Sequence, residues 1–183
     1  MAWTTPKQDW QTGDLVTAAQ MNTYLRDNLL RISDHLAFST WAPALSITSG
    51  TTAPALGDGA LGGVIRSGTF LQVGQSTAGL VHGSCQIRFG TSGVSAGNGI
   101  YTVSLPVKQS SDDAARQAVV GWGAIYDNSG ADTHHVIAVQ HSSAVCKLKY
   151  TCTGAAETFV RNNAPFTWSS DDQIHLHLCY KVL

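Results

Sequence analysis

The clearest pattern in the chain is the alternation Ile174-His175-Leu176-His177-Leu178-Cys179-Tyr180. Successive side chains of a β-strand point to opposite faces of a sheet, so every second residue lies on the same face. The apolar residues at the even positions therefore predict a strand with one face against a hydrophobic core. The two histidines and the cysteine would then share the opposite face.

Shorter runs of the same kind precede this strand. They cover residues 64–73, 80–89, 100–105, 118–126, 136–139, 145–150 and 158–160, and turns rich in Gly, Asn, Asp, Ser and Pro separate them. Strands that recur about every 8–12 residues are typical of antiparallel sandwiches. We therefore predict a mainly β domain over residues 41–183, an antiparallel β-sandwich of the jelly-roll-like type.

Residues 1–40 have a different pattern, which predicts an extended N-terminal arm followed by one amphipathic α-helix. Thr17 and Gln20 have the spacing of a capping box, and Val16 and Met21 flank it where a hydrophobic staple belongs. Beyond the cap, apolar residues recur at three- and four-residue spacing: Met21, Leu25, Leu29, Ile32 and Leu36, with Tyr24 beside them. This stripe predicts a helix of about five turns.

The apolar stripe of this helix needs a partner surface. The partner could be the β domain of the same chain, further copies of the helix, or a groove on another protein. Two tryptophans on a polar, turn-rich arm favour an intermolecular role, because aromatic anchors are typical of docking segments. The predicted anchoring and assembly residues are Trp3, Trp10, Val16, Thr17, Met21, Tyr24, Leu25, Leu29 and Ile32.

Composition excludes several classes of protein. The 183 residues carry a net charge of -1, and only 13% of them are charged, against roughly 25% in an ordinary soluble domain. A nucleic-acid-binding protein normally shows a basic excess, and a membrane span needs about 20 apolar residues. We therefore expect neither nucleic-acid binding nor membrane insertion. The N-terminal residues lack the apolar core of a secretory signal, so we expect synthesis in a cytoplasm.

The four cysteines are Cys85, Cys146, Cys152 and Cys179. They contain no C-x-x-C pair, and the spacing between Cys146 and Cys152 matches no common zinc site. We interpret them as reduced, mostly buried thiols. A disulfide between Cys146 and Cys152 across a hairpin is the alternative.

The sequence contains only a weak match to a catalytic motif. The stretch Gly93-Val94-Ser95-Ala96-Gly97 matches the G-x-S-x-G string of serine hydrolases, but that elbow needs a hydrophobic strand before it and a helix after it. Here Gly-Thr-Ser precedes the string and a predicted strand follows it, so we predict a loop. No catalytic residue is assigned, and we expect a protein that is not an enzyme.

His175 and His177 form the one constellation with possible metal chemistry. Two ligands are too few for a closed metal site in a single chain. In a trimer with this strand at the axis, three such pairs would supply six imidazoles, enough to hold a transition metal octahedrally. The other interpretation is that both histidines face solvent or a subunit interface and that no cofactor is bound.

The N-terminal residues resemble the leader of a family of tailed-bacteriophage virion proteins, which has the form W-T-P … V-T-A-A-x-x-N … R-D-N-L. The matching residues are 3–6, 10 and 13–29, and the turn segments 57–63, 97–106 and 165–172 are similar more loosely. Such leaders occur on minor tail proteins, fibres, head fibres and capsid decorations.

The resemblance implies a homotrimer that is fixed to other proteins of the virion by residues 1–40, with its β domain facing outward. The expected function is that of a tail fibre, minor tail protein or receptor-binding knob, with host surface glycans as possible partners. Capsid decoration is the alternative, and a non-viral lectin-like sandwich is a remote one. The chain has no long shaft or collagen-like repeat, which favours a compact knob or decoration.

Overall fold

The computed structural model describes residues 11–58, 64–75, 78–109, 118–150 and 158–182. The chain divides into two compact units, Met1–Phe38 and Ser39–Leu183. The second unit begins slightly before residue 41, because Ser39–Trp41 is already a strand of its sheet.

The helix of the first unit runs from Ala18 to His35. Its central turn, Asn22–Arg26, is π-helical, and the flanking turns are α-helical. The predicted capping box is present: the Gln20 backbone N–H donates to the Thr17 hydroxyl at 3.2 Å, and the Thr17 N–H donates to the Gln20 side chain at 2.8 Å. No helix in the described part of the chain has the length and apolar character needed to cross a membrane.

The described residues of the second unit form twelve strands. They are β1 (Ser39–Trp41), β2 (Leu45–Thr52), β3 (Ala55–Asp58), β4 (Ile65–Gln75), β5 (Ala78–Arg88), β6 (Ser92–Ser95), β7 (Asn98–Ser104), β8 (Val119–Asp127), β9 (Asp132–Gln140), β10 (Val145–Tyr150), β11 (Thr158–Phe159) and β12 (Gln173–Val182).

Ten of these strands make one antiparallel sheet. Nine follow the order β1-β4-β5-β12-β8-β9-β10-β7-β2, and β11 pairs with β10; β3 and β6 form a separate two-stranded sheet. The C-terminal strand β12 therefore lies in the interior of the sheet, paired with β5 on one side and β8 on the other.

The large sheet curls strongly, so that strands far apart in its order approach each other. Phe89, which follows β5, and Tyr101 of β7 both pack on Trp168, with ring centroids 5.3 and 5.2 Å from the indole. Buried apolar residues of β5, β7, β8, β9, β10 and β12 form a single core inside the curl. The prediction of a mainly β, antiparallel, sandwich-like fold after one short helical region is confirmed.

The strand pattern of β12 is as predicted. Ile174, Leu176, Leu178 and Tyr180 are buried, whereas His175 and His177 are exposed on the other face. The strands β1, β2, β3 and β6 were not predicted.

The G-x-S-x-G string was wrongly predicted to be a loop, because its first three residues belong to β6, which pairs with β3. The string is followed by strand β7. It therefore lacks the helix that a nucleophile elbow requires.

The cysteines that the structure describes are free thiols. Cys85 and Cys146 are buried in the core, and Cys179 is half-buried on β12. Burial raises the pKa of both the Cys85 and the Cys146 thiol to about 12. Cys152, the other half of the alternative disulfide, lies outside the described residues.

Candidate functional site

The first candidate site is the apolar stripe of the helix. The side chains of Met21, Leu25, Leu29 and Ile32 are between 45% and 59% exposed. Tyr24 beside them is half-buried, and Val16 before the cap is exposed. Large aliphatic side chains left in water at helical spacing are typical of a surface that another protein covers.

A groove of about 430 Å³ runs along this stripe and includes Met21, Leu25, Leu29 and Leu30. Arg26 is the charged residue that lines the groove, and its guanidinium forms an ion pair with the neighbouring Asp27 at 2.8 Å. The remaining lining is mostly apolar. The two predicted docking tryptophans, Trp3 and Trp10, lie outside the described residues.

The second candidate site is the outer face of the large sheet, the face opposite to the core. A row of directly paired residues crosses its middle strands and is called the Trp122 row here. In order from β4 to β10 it consists of Thr69, Ser84, His177, Trp122, Ile137 and Lys149. The parallel row next to it consists of Ser67, Gln86, His175, Ala124 and His135. Neither row contains an Asp or Glu, so this part of the outer face carries hydroxyl, amide, imidazole and ammonium groups around one large aromatic ring.

The two predicted metal ligands are both on this face, at neighbouring positions in the two rows. The Nε2 of His175 lies 2.9 Å from Oε1 of Gln173. Because a carbonyl oxygen can only accept, Nε2 carries the hydrogen in this contact. Burial, together with the proximity of His177, lowers the pKa of His175 below its usual value, which favours the neutral imidazole.

A metal at His175 would have to bind through Nδ1, or displace Gln173 from Nε2. No group of three or more His, Cys, Asp or Glu side chains suited to a metal is found among the residues that the structure describes. One chain therefore presents a pair of imidazoles there, and the six-imidazole alternative depends on further copies of the chain.

Beside the histidines, an open groove of about 700 Å³ extends over β1, β4, β5 and β12. Its outer-face lining includes Thr40, Ser67, Thr69, Ser84 and Gln86, in addition to the two histidines. Arg66 and Trp41 also line the groove, and no carboxylate is among its described lining residues, so its polar groups are hydroxyls, an amide, imidazoles and a guanidinium.

Trp122 is the residue that the sequence analysis missed. Its indole is 53% exposed, and it lies nearly parallel to the His177 imidazole, with an interplanar angle of 26° and ring centroids 6.3 Å apart. Gly121 and Gly123 on either side of it approach the β12 backbone closely. The exposed indole is a large apolar surface on a face whose other side chains are mostly polar.

The acidic pair Asp171-Asp172 has a structural role. Asp172 is fully buried, and its carboxylate accepts hydrogen bonds from the backbone N–H groups of Asn128 at 2.9 Å and Ser169 at 2.6 Å. Burial raises its pKa above the usual value. Its oxygens tie the β8–β9 turn to the segment before β12.

Comparison of the chain with family models, curated proteins and solved structures finds no match.

Proposed function

We propose that this chain is a structural, non-enzymatic bacteriophage virion protein that is made in the host cytoplasm and then built into the particle. Residues 1–40 anchor it to other virion proteins, and the β unit faces outward as part of a homotrimer. In this role the protein is a tail fibre, a minor tail protein or a receptor-binding knob. The leader resemblance described above supports the class of protein.

The observation that carries the proposal is the exposed apolar stripe of the helix, in a unit distinct from the β unit. A surface of this kind is unfavourable in water and gains free energy when another protein covers it. The capped helix presents the stripe in a defined conformation, which lowers the entropy cost of docking.

The test is incorporation into particles. Deletion of residues 1–38, which keeps strand β1, should leave a folded β unit that no longer enters virions. A sharper variant is Leu25→Lys with Leu29→Lys, which puts two charges in the stripe. Its matched control is Ser33→Lys, at an exposed position of the same helix, which should incorporate normally. Normal incorporation of the double variant would refute the anchoring role.

Capsid decoration is the second candidate, because the described β unit is compact and has no shaft. The two roles differ in copy number: a tail component is present in few copies per particle, and a decoration protein in hundreds. Quantitative protein analysis of purified particles separates them. A free, soluble trimer absent from particles would instead favour the non-viral, lectin-like alternative.

A further inference from the structure

We propose that the open groove over β1, β4, β5 and β12 is a binding site for a neutral oligosaccharide, a chain of hexose units without acidic groups. The inference rests on the proposed function, which turns this face toward a host surface, and names the class of ligand that the face would meet there. The site itself consists only of residues of this chain.

The floor of the groove is a row of side chains with unused hydrogen-bonding capacity. In the sheet register, Thr40 lies opposite Thr69, Thr69 opposite Ser84, and Ser84 opposite His177. None of these side chains forms a hydrogen bond with another described residue. Neighbouring strands are about 4.8 Å apart, so the row offers a polar group at intervals of roughly the length of one hexose unit.

Two side chains next to this row are fixed as hydrogen-bond acceptors. Oε1 of Gln173 accepts a hydrogen bond from Nε2 of Gln86 at 3.2 Å and lies 2.9 Å from Nε2 of His175. Because a carbonyl oxygen only accepts, Nε2 of His175 carries the hydrogen. Burial lowers the pKa of His175 and so favours the neutral imidazole. Nδ1 of His175 and Oε1 of Gln86 are therefore left as acceptors.

These two acceptors determine which ligand fits. The hydroxyl group of a sugar can donate a hydrogen bond to Gln86 or His175 and can accept one from Thr69 or Ser84. A carboxylate has no hydrogen to donate. An acidic ligand would therefore cover both acceptors without satisfying them, which is unfavourable. The groove favours a ligand that is rich in hydroxyl groups and carries no charge.

The direction of the groove favours a sugar chain over an extended peptide. A peptide recognised by a sheet normally adds to an exposed edge strand through main-chain hydrogen bonds. This groove instead crosses the sheet, over β4, β5 and β12, each of which is paired with a strand on both sides. Recognition there depends on side chains, as binding of a sugar requires.

Arg66 is the single Lys or Arg among the described lining residues. It pairs with the core residue Ile87, so strand alternation places it on the face opposite to Thr69. One guanidinium in that position does not make an anion site on the floor. Binding of nucleic acid is not expected either, because it depends on several contacts between cations and phosphates.

The experiment screens the full-length protein on an array of hexose oligomers, from disaccharides to hexasaccharides. The array carries neutral oligomers together with matched oligomers that bear carboxylate or sulfate groups. We expect binding to neutral oligomers, with an affinity that rises with chain length and changes little with salt, since no ion pair is involved. Absence of binding, or binding confined to the acidic oligomers, would overturn the proposal.

Variants locate the site by titration calorimetry with the neutral oligomer that binds most tightly. Thr69→Leu removes a hydroxyl group from the floor and fills part of the groove, and should weaken binding roughly tenfold. Its matched control is Thr133→Leu, the same exchange at an exposed position of β9 outside the groove, which should bind normally. Wild-type affinity in Thr69→Leu would refute the location.

Gln86→Met tests the acceptor and keeps the length of the side chain. It should weaken binding of the neutral oligomer severalfold and leave the midpoint of urea unfolding close to that of the wild type. Wild-type affinity in this variant would contradict the role of Gln86 in selecting the ligand.

Light scattering distinguishes a sugar site from a contact between copies of the chain. If Thr69→Leu converts an oligomer into a monomer, the groove belongs to a subunit interface and the sugar site is refuted. Virion incorporation is measured separately. Failure of sugar binding therefore leaves the anchoring role standing, and failure of anchoring leaves the binding measurements intact.

Discussion

The hydroxyl of Tyr180 donates a hydrogen bond to the carbonyl oxygen of Val107 at 2.7 Å and accepts one from the Val107 N–H at 3.2 Å. Tyr180 lies on β12, and Val107 follows β7. In the sheet, three strands separate β12 from β7. This pair of hydrogen bonds therefore joins two parts of the curled sheet, with Tyr180 buried and Val107 half-buried.

Tyr180→Phe should lower the free energy of unfolding by about 1 kcal/mol, because it removes two hydrogen bonds to the half-buried Val107 backbone. The midpoint of urea unfolding should fall while the slope of the transition stays the same. Tyr126→Phe is the control, at a half-buried tyrosine of β8. Equal midpoints for the two variants would show that the Tyr180 hydroxyl does not stabilise the curl.

Asp127→Asn should make the free energy of unfolding depend less on pH in the acid range. The carboxylate accepts hydrogen bonds from the Ser129 hydroxyl at 2.7 Å and from the backbone N–H groups of Ser129 and Gly130. The Ser129 hydroxyl is the main cause of a pKa below the usual 3.8. A lowered pKa in the folded state contributes stability that is present above pH 3.8 and is lost as pH falls through the folded-state value.

The melting temperature of Asp127→Asn should therefore lie a few degrees below that of the wild type at pH 7. The gap should narrow as pH falls below about 4. Asp132→Asn is the control for the loss of a carboxylate at pH 7, since it changes an exposed residue at the other end of the same turn and should leave the melting temperature close to that of the wild type. A gap for Asp127→Asn that is constant from pH 7 to acid would contradict the role of the ionised carboxylate.

The sequence predicted most strands of the large sheet because their apolar residues alternate or cluster. The pattern of β12 even identified the face on which His175 and His177 lie. The strands β1, β2, β3 and β6 are short or rich in Ser, Thr and Gly, so they carry too few apolar residues to be recognised by alternation. These segments are strands because their backbones pair with neighbouring strands, and their own side chains give little sign of it.

The exposed position of Trp122 could not be predicted, for a related reason. A β-bulge lies in β8 between Val119 and Gly121, and an extra residue shifts the alternation of the faces. The apolar run from 118 to 126 therefore gives no consistent inner and outer side. The pairing of Trp122 with His177 joins strands far apart in the sequence, which a local pattern cannot reveal.

The described thiols should differ strongly in reactivity. Thiolates are the reactive form, and burial raises the pKa of Cys85 and Cys146 to about 12. Cys179 is only half-buried. During alkylation of the native protein at pH 8, mass spectrometry should find Cys179 modified first, and Cys85 and Cys146 only after denaturant is added. Labelling of Cys146 as fast as Cys179 would contradict the buried position of Cys146.

Gly123→Ala should be among the most damaging single substitutions in the β unit. A Cβ atom on Gly123 would overlap the carbonyl oxygen of His175 on β12, so the two paired strands would have to separate. Overpacking of this kind typically costs about 1–3 kcal/mol, and the interior position of both strands in the sheet leaves little room for relaxation.

The control is Ala124→Ser, which adds one atom at the next residue of β8, on the partly exposed outer face. The midpoint of urea unfolding should be well below that of the wild type for Gly123→Ala and close to it for Ala124→Ser. Because β12 carries His175 and His177, separation of the strands should also shift the imidazole resonances of these two histidines in NMR spectra. Unchanged stability and unchanged resonances in Gly123→Ala would mean that β8 and β12 are not in the close contact described here.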